Sequence, residues 1–223
     1  MLSDVYTPVG IYLRLRDRFR DTILMESADN RAAENSFSFI GINAVGGIEI
    51  SDYTSLELKY PGLPPEKRTI AKATDVPAML WDFMNTFSAE KPDDRNVIIA
   101  QALFGYSTYD AVQFFDTIKL QSANSNHKSA IPLMRYRLYQ YVIVINHFKD
   151  EMYLCENVIH GLQSDLAAVE SLIKSKDVPT YPFKTQQDET SNMVDADYIE
   201  MVKKGVQSCF RGDVFQIVLS RRF

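Results

Sequence analysis

Cysteine is scarce in this sequence, and its two copies stand far apart. Cys155 and Cys209 are the only cysteines among 223 residues, and no CxxC spacing occurs. This pattern indicates neither a disulfide framework nor a zinc site, so we expect two reduced thiols that pack as small hydrophobic side chains. His147 and His160 also lack companions at metal-ligand spacing. We therefore assign no metal site to these residues.

Long apolar runs and clusters of basic residues are missing as well. No apolar run approaches the length of a membrane span, and the first residues lack the regions of a signal peptide. The net charge is −5, and the longest basic cluster is Arg221–Arg222 beside the spaced arginines 14, 16, 18 and 20. These features argue against membrane and nucleic-acid partners and favour a cytoplasmic protein.

The apolar pattern predicts an α+β fold, with largely antiparallel sheet and flanking helices. At 46% hydrophobic residues the chain can bury a substantial core. Thr7 and Pro8 begin a helix expected to end near Arg20. A second helix follows Asp75, and its apolar residues recur at three- and four-residue intervals as a stripe that should pack on the sheet. Short β-rich segments with Gly and Pro punctuation predict strands at residues 22–27, 36–43, 45–51, 55–60, 67–72, 136–148 and 151–159. Residues 96–110 predict a further apolar strand that leads to a Gly-containing aromatic turn.

The composition changes between residues 174 and 193, where prolines and a polar run leave almost nothing to bury. A helix then begins at Asp195 or Asp197 and ends at Gly212, and the alternation over residues 214–223 predicts a strand. Gln216 would lie between apolar neighbours on that strand. A buried amide left unsatisfied costs about 1–3 kcal/mol, so a neighbouring strand or a substrate must bind it.

Residues 21–41 contain a strand that ends on a carboxylate and a hydroxyl side by side, Glu26 and Ser27, before Phe37 returns to the core. A strand end of this kind can hold the ammonium group of a small amino acid. The same residues also fit ordinary loop chemistry, in which Ser, Asp and Asn side chains bond the nearby backbone. The residues alone leave both interpretations open.

Five segments together resemble the large subunit of anthranilate synthase, a chorismate-using enzyme. They are TPVGIY, LMESAD, SFSFIG, GYSTYD and GDVFQIVLSRRF, at residues 7–12, 24–29, 36–41, 105–110 and 212–223. They span essentially the whole chain in the family's order. The family usually has Leu in place of Met25, a change that conserves volume.

The resemblance implies a reaction and a regulatory site. It implies that chorismate and ammonia become anthranilate and pyruvate, with Mg²⁺ in the full-length enzyme and ammonia from a glutamine amidotransferase partner. It also implies feedback inhibition by tryptophan, bound at Glu26 and Ser27, with Phe37 as a further candidate. The resemblance also implies that relatives which add water to chorismate carry a lysine at the position that matches Gln216, where it acts as a general base. A Gln amide does not titrate, so Gln216 fits an ammonia-using active site, with a structural glutamine as the alternative.

On this resemblance, residues 1–174 are expected to form the tryptophan-binding regulatory domain, 175–194 a linker, and 195–223 the start of the catalytic domain. The family's metal-binding and main catalytic residues would lie in a second half, so we expect an N-terminal fragment that binds no Mg²⁺ and is inactive alone. Two alternatives stay open: the large component of aminodeoxychorismate synthase, and a free-standing amino-acid-binding domain.

Overall fold

The structure is a computed structural model that describes residues 5–27, 36–120, 131–185 and 188–223. The described residues form five α-helices: α1 (Pro8–Leu15), α2 (Val76–Asn85), α3 (Arg95–Ile99), α4 (Leu166–Lys174) and α5 (Asp195–Arg211). They form seven strands: β1 (Ile23–Met25), β2 (Phe37–Ile50), β3 (Ser55–Lys59), β4 (Glu66–Thr69), β5 (Phe104–Ser107), β6 (Met134–Asn146) and β7 (Glu151–Glu156). Short 3-10 helices cover Ala73–Asp75 and Tyr109–Phe114.

All of these strands belong to one antiparallel sheet, built around the long pair β2 and β6. The strand order is β4-β3-β2-β6-β5, and β1 pairs with β2 while β7 pairs with β6. This arrangement confirms the predicted α+β class. The predicted break in the second strand is wrong, because β2 continues through a bulge between Ala44 and Gly46. Gly47 allows the close pairing that follows, since a Cβ there would lie 2.5 Å from the carbonyl oxygen of Tyr136.

Helix α1 begins as the sequence predicts. The Thr7 hydroxyl accepts a hydrogen bond from the Gly10 amide at 3.0 Å, and proline occupies the first turn. The helix ends at Leu15 rather than near Arg20. It buries Ile11 and Leu15 in a cluster with side chains of β2, β6 and α4. Burying an aliphatic side chain of this size contributes about 1.5–3 kcal/mol, so this contact fixes α1 on the sheet.

Helix α2 covers another part of the sheet. Its Val76 and Phe83 are buried in a cluster with Ile48 and Ile50 of β2 and with side chains of β3 and β6. The Phe83 ring also packs against Tyr60, with ring centroids 5.4 Å apart. The predicted apolar stripe of this helix is therefore confirmed.

The strand predicted to begin at Asn96 begins later in the structure. Residues Arg95–Ile99 form helix α3, and the Asp94 side chain accepts a hydrogen bond from the Asn96 amide at 2.8 Å. A short apolar run does not distinguish a strand from a helix, and here the N-cap at Asp94 favours the helix. The strand begins only at Phe104.

The chain divides into two compact units, Met1–Pro179 and Thr180–Phe223. In the second unit, α5 ends at Gly212, whose φ of 77° lies in the left-handed region that glycine favours. The predicted strand over residues 214–223 does not form, because within this unit the segment has no strand to pair with. It runs back along α5, where the Tyr198 hydroxyl donates to the Leu219 carbonyl at 3.3 Å.

Candidate functional site

The end of β1 carries the two residues that the sequence singles out for an amino-acid ligand. Strand β1 pairs with β2 through Met25 and Phe39, and the chain then leaves the sheet. Glu26 and Ser27 follow directly, and both are exposed. Residues 28–35, which complete the predicted loop, lie outside the described residues. An exposed carboxylate at this point can accept a charge-assisted hydrogen bond from an ammonium group.

Phe37, the third candidate, is the first residue of β2 and is half-buried. If the β1–β2 register were continued for two more residues, Ser27 would stand opposite Phe37. The Phe37 and Phe39 rings stack at 6.2 Å, and Phe39 meets Phe104 of β5 at 5.4 Å. The structure thus brings the end of β1 to an aromatic group at the start of β2, and the assignment of these residues to tryptophan stays a prediction.

A partly buried hydrogen bond fixes the same end of the long strands. The hydroxyl of Ser38, which is fully buried, lies 2.7 Å from Nε2 of His147, just beyond β6. The backbone amide of His147 donates to the carbonyl of Ser36 at 3.0 Å. These bonds hold the start of β2 against the end of β6 and so position Phe37. The partners lie far apart in the chain, and no sequence pattern indicated them.

A carboxylate shared by two arginines lies near the other end of β2. Glu49 Oε2 accepts from Arg135 Nε at 2.9 Å and from Arg137 Nη2 at 2.6 Å. Burial, the largest single influence, acts to raise the pKa of Glu49, but the two arginine hydrogen bonds and charges outweigh it and hold that pKa below its ordinary value. This ion cluster joins the two longest strands, and sequence reasoning did not identify it.

Gln216 does not occupy the environment expected from the sequence. It lies in the irregular segment after α5 and is exposed, and its neighbour Phe215 is fully exposed. The interpretation of a glutamine buried on a strand is therefore corrected. The neighbouring side chains of Ile217 and Leu219 lie against α5 at Gly205. They pack so closely that a Cβ on Gly205 would lie 2.9 Å from a Leu219 methyl group.

The described residues contain neither a cluster of metal-ligating side chains nor a membrane-spanning helix. No group of three or more His, Cys, Asp or Glu side chains that could hold a metal ion occurs in the part of the chain that the structure describes. None of the described helices is long and apolar enough to cross a membrane.

Comparison with curated proteins finds relatives along the whole chain. Anthranilate synthase component 1 of Lactococcus lactis is 21% identical over 230 aligned residues, which cover 99% of this chain and 47% of that protein. Anthranilate synthase alpha subunit 2, chloroplastic, of Arabidopsis thaliana is 30% identical, and the match covers 100% of this chain and 40% of that protein. The chain thus spans less than half the length of these relatives.

The fold also matches a solved structure. The crystal structure of anthranilate synthase component I from Streptococcus pneumoniae aligns with a TM-score of 0.51 at 18% identity, over 96% of this chain and 46% of that chain. A family model described as chorismate binding enzyme matches residues 50–223, which is most of the sequence. The chain therefore belongs to the family of chorismate-binding enzymes.

Proposed function

We propose that the chain is part of an anthranilate synthase large subunit. The observation that carries this proposal is that relatives named anthranilate synthase align with nearly all of this chain, at identities of 21% and 30% for the two proteins above. The fold shared with the Streptococcus pneumoniae protein supports it.

In the proposed reaction, ammonia replaces the hydroxyl of chorismate, and pyruvate is eliminated to leave anthranilate. The complete enzyme would require Mg²⁺ and would receive ammonia from a glutamine amidotransferase partner. Gln216 would line the active site of that complete enzyme, where its amide can bond a substrate but cannot act as a base toward water. We also propose that the protein is cytoplasmic, as the sequence analysis predicts.

The same proposal makes the end of β1 a feedback site for tryptophan. The Glu26 carboxylate would accept hydrogen bonds from the ligand ammonium, and the Ser27 hydroxyl would bond its polar end. The indole ring would lie beside Phe37, where aromatic rings prefer offset or edge contacts. The proximity of the β1 end to the Phe37, Phe39 and Phe104 rings supports this arrangement.

We further propose that these 223 residues do not catalyse the reaction alone, since they span less than half the length of the relatives. The test supplies chorismate, ammonium and Mg²⁺ to the 223-residue chain and to the full-length protein that contains it, and follows anthranilate by fluorescence. Anthranilate from the full-length protein alone is the expected result. Aminodeoxychorismate as the product would contradict the assignment, and anthranilate from the short chain would contradict its inactivity. Circular dichroism of the short chain confirms that it is folded.

A further inference from the structure

The first unit contains a cavity of about 580 Å³ between α2, β5 and the adjoining parts of β2 and β6. Ile48 of β2 and Tyr136 of β6 lie side by side in its wall, and Met84 and Phe87 line it from the helical side. A volume of this size is within the range of small-molecule sites in proteins. Strands β2, β5 and β6 and helix α2 supply part of the wall, and the segments around Phe87, Ala102 and Phe115 complete it.

The lining is apolar and rich in aromatic and sulfur-containing side chains. The Phe87, Phe115 and Tyr136 rings face Met84 and Met134 around the cavity. Aromatic rings and thioether sulfurs make favourable contacts with the faces and edges of a bound ring. This combination favours a flat aromatic ligand.

The polar groups of the cavity are few and neutral. The Ser107 hydroxyl lies 2.9 Å from the Tyr136 hydroxyl, and Gln101 contributes an amide. None of the described residues that line the cavity carries a charge. A buried ion would lack a partner here, so the lining selects an uncharged ligand that carries one or two hydrogen-bonding groups.

Two large apolar side chains of this wall remain open to solvent. Met84 is 50% exposed and Phe115 is 54% exposed. A ring bound in the cavity would remove part of this apolar surface from water, which is the usual driving force for such binding.

We propose that this cavity binds a neutral aromatic molecule of one or two rings that carries a single hydroxyl or carbonyl group. The site is distinct from the feedback site proposed above, and the proposal does not depend on it. Ile48 lies roughly 35 Å along β2 from Phe37 at the usual rise of a strand. Tryptophan, which carries both an ammonium and a carboxylate, does not fit an uncharged lining.

The probe for the test is 2-naphthol, with naphthalene-2-sulfonate as its charged counterpart. Calorimetry of the 223-residue chain is expected to show saturable binding of one 2-naphthol per chain and at least tenfold weaker binding of the sulfonate. With ¹³C-labelled methionine methyl groups, the Met84 and Met134 signals should shift, while those of Met25 and Met152 should not. Added tryptophan should not displace 2-naphthol. Absence of saturable binding, or shifts at Met25 instead, would overturn the proposal.

Two variants test the site itself. Ala102→Phe places a ring in the cavity wall and should weaken 2-naphthol binding at least tenfold, whereas Ala167→Phe, on the exposed face of α4, should leave it unchanged. Ser107→Ala should weaken 2-naphthol binding about threefold to tenfold by removing one hydrogen bond, with no change for naphthalene. Equal affinity in Ala102→Phe and wild type would overturn the proposal. If Ala102→Phe does not fold, the proposal is still tested by the affinities of Ser107→Ala for 2-naphthol and naphthalene and by the shifts of the Met84 and Met134 methyl signals.

Discussion

At the scale of single residues, Glu26 and Ser27 follow Met25, which stands opposite Phe39 in the pairing of β1 with β2, and Phe37 lies two residues before Phe39. The position of Phe37 is held in turn by the bond between Ser38 and His147. A carboxylate, a hydroxyl and an aromatic ring are the groups needed for an aromatic amino acid. Of these, Ser27 lies beyond the part of β1 that pairs with β2, so its substitution tests a side chain outside the paired strand.

Ser27→Ala and Ser27→Phe are expected to relieve tryptophan inhibition in the full-length enzyme. Loss of a hydrogen bond to a charged ligand group costs about 1.5–3 kcal/mol, so the inhibitory concentration should rise about tenfold to a hundredfold. Turnover without tryptophan should stay within about twofold of wild type, because no catalytic group is touched. Ser88→Ala, at another exposed position, serves as the control. Unchanged tryptophan sensitivity in both Ser27 variants would contradict the assignment.

Glu49 offers a prediction about stability. Its side chain is 18% exposed and that of Arg137 only 13%, whereas Arg135 at 40% is too exposed to contribute much. Glu49→Gln should therefore lower the free energy of unfolding by about 1–3 kcal/mol at neutral pH, mostly through Arg137. Urea denaturation measures this difference. Glu57→Gln is the matched control, because Glu57 stands directly opposite Glu49 on β3 and its removal relieves repulsion between two carboxylates.

The same pair predicts a pH dependence. The folded-state pKa of Glu49 lies below its ordinary value, so its stabilising contribution is complete above the unfolded pKa of about 4.3. It is lost as the pH falls through the lower folded-state pKa. The stability difference between wild type and Glu49→Gln should thus vanish in acid. A difference that persists unchanged at strongly acidic pH would show that the effect is not electrostatic.

At the scale of elements, the sequence predicted those features that depend on interactions between residues close together in the chain. The Thr7–Pro8 start of α1 and the apolar stripe of α2 follow from neighbouring residues, and both are confirmed. The segment after α5 shows the limit, because a strand forms only where another strand can pair with it. The carboxylate shared by Arg135 and Arg137 could not be predicted, since the pairing of β2 with β6 that creates it depends on the whole fold. For the candidate site, the end of a predicted strand and the family resemblance indicated Glu26 and Ser27. Neither of them indicated the contact between Ser38 and His147, which are far apart in the sequence.

The glycine of the GYSTYD segment, Gly105, is required by the close pairing of β5 with β6. A Cβ at this position would lie 1.8 Å from the carbonyl oxygen of Arg135, a backbone atom that cannot turn aside. Gly105→Ala should therefore push β5 away from β6 and lower the free energy of unfolding by about 2–4 kcal/mol. Tyr106→Phe, in the same strand, should have no comparable effect. A urea midpoint unchanged by Gly105→Ala would show that the two strands are not so close.

At the scale of the whole molecule, the chain consists of two units that differ in how they bury apolar surface. The first unit has a sheet with helices packed on it. In the second, α5 and the segment after it leave large side chains open, among them Phe210 at 88% and Val218 at 82% exposure. A helix and one extended segment cannot enclose a hydrophobic core of their own. We therefore expect the second unit to be less stable by itself than the first.

Each unit carries one cysteine, which allows the two to be followed separately. Cys155 is half-buried on β7, and burial first, then the charge of Asp94, raises the pKa of its thiol to about 11. At pH 8 only about one in a thousand of these thiols would be ionised, and the thiolate is the reactive form. Cys209 on α5 is exposed. Ellman's reagent should therefore label one thiol rapidly in the native chain, and Cys209→Ala should abolish that phase while Cys155→Ala preserves it. Denaturant should expose the second thiol when the first unit unfolds, and rapid labelling of both thiols without denaturant would contradict the burial of Cys155.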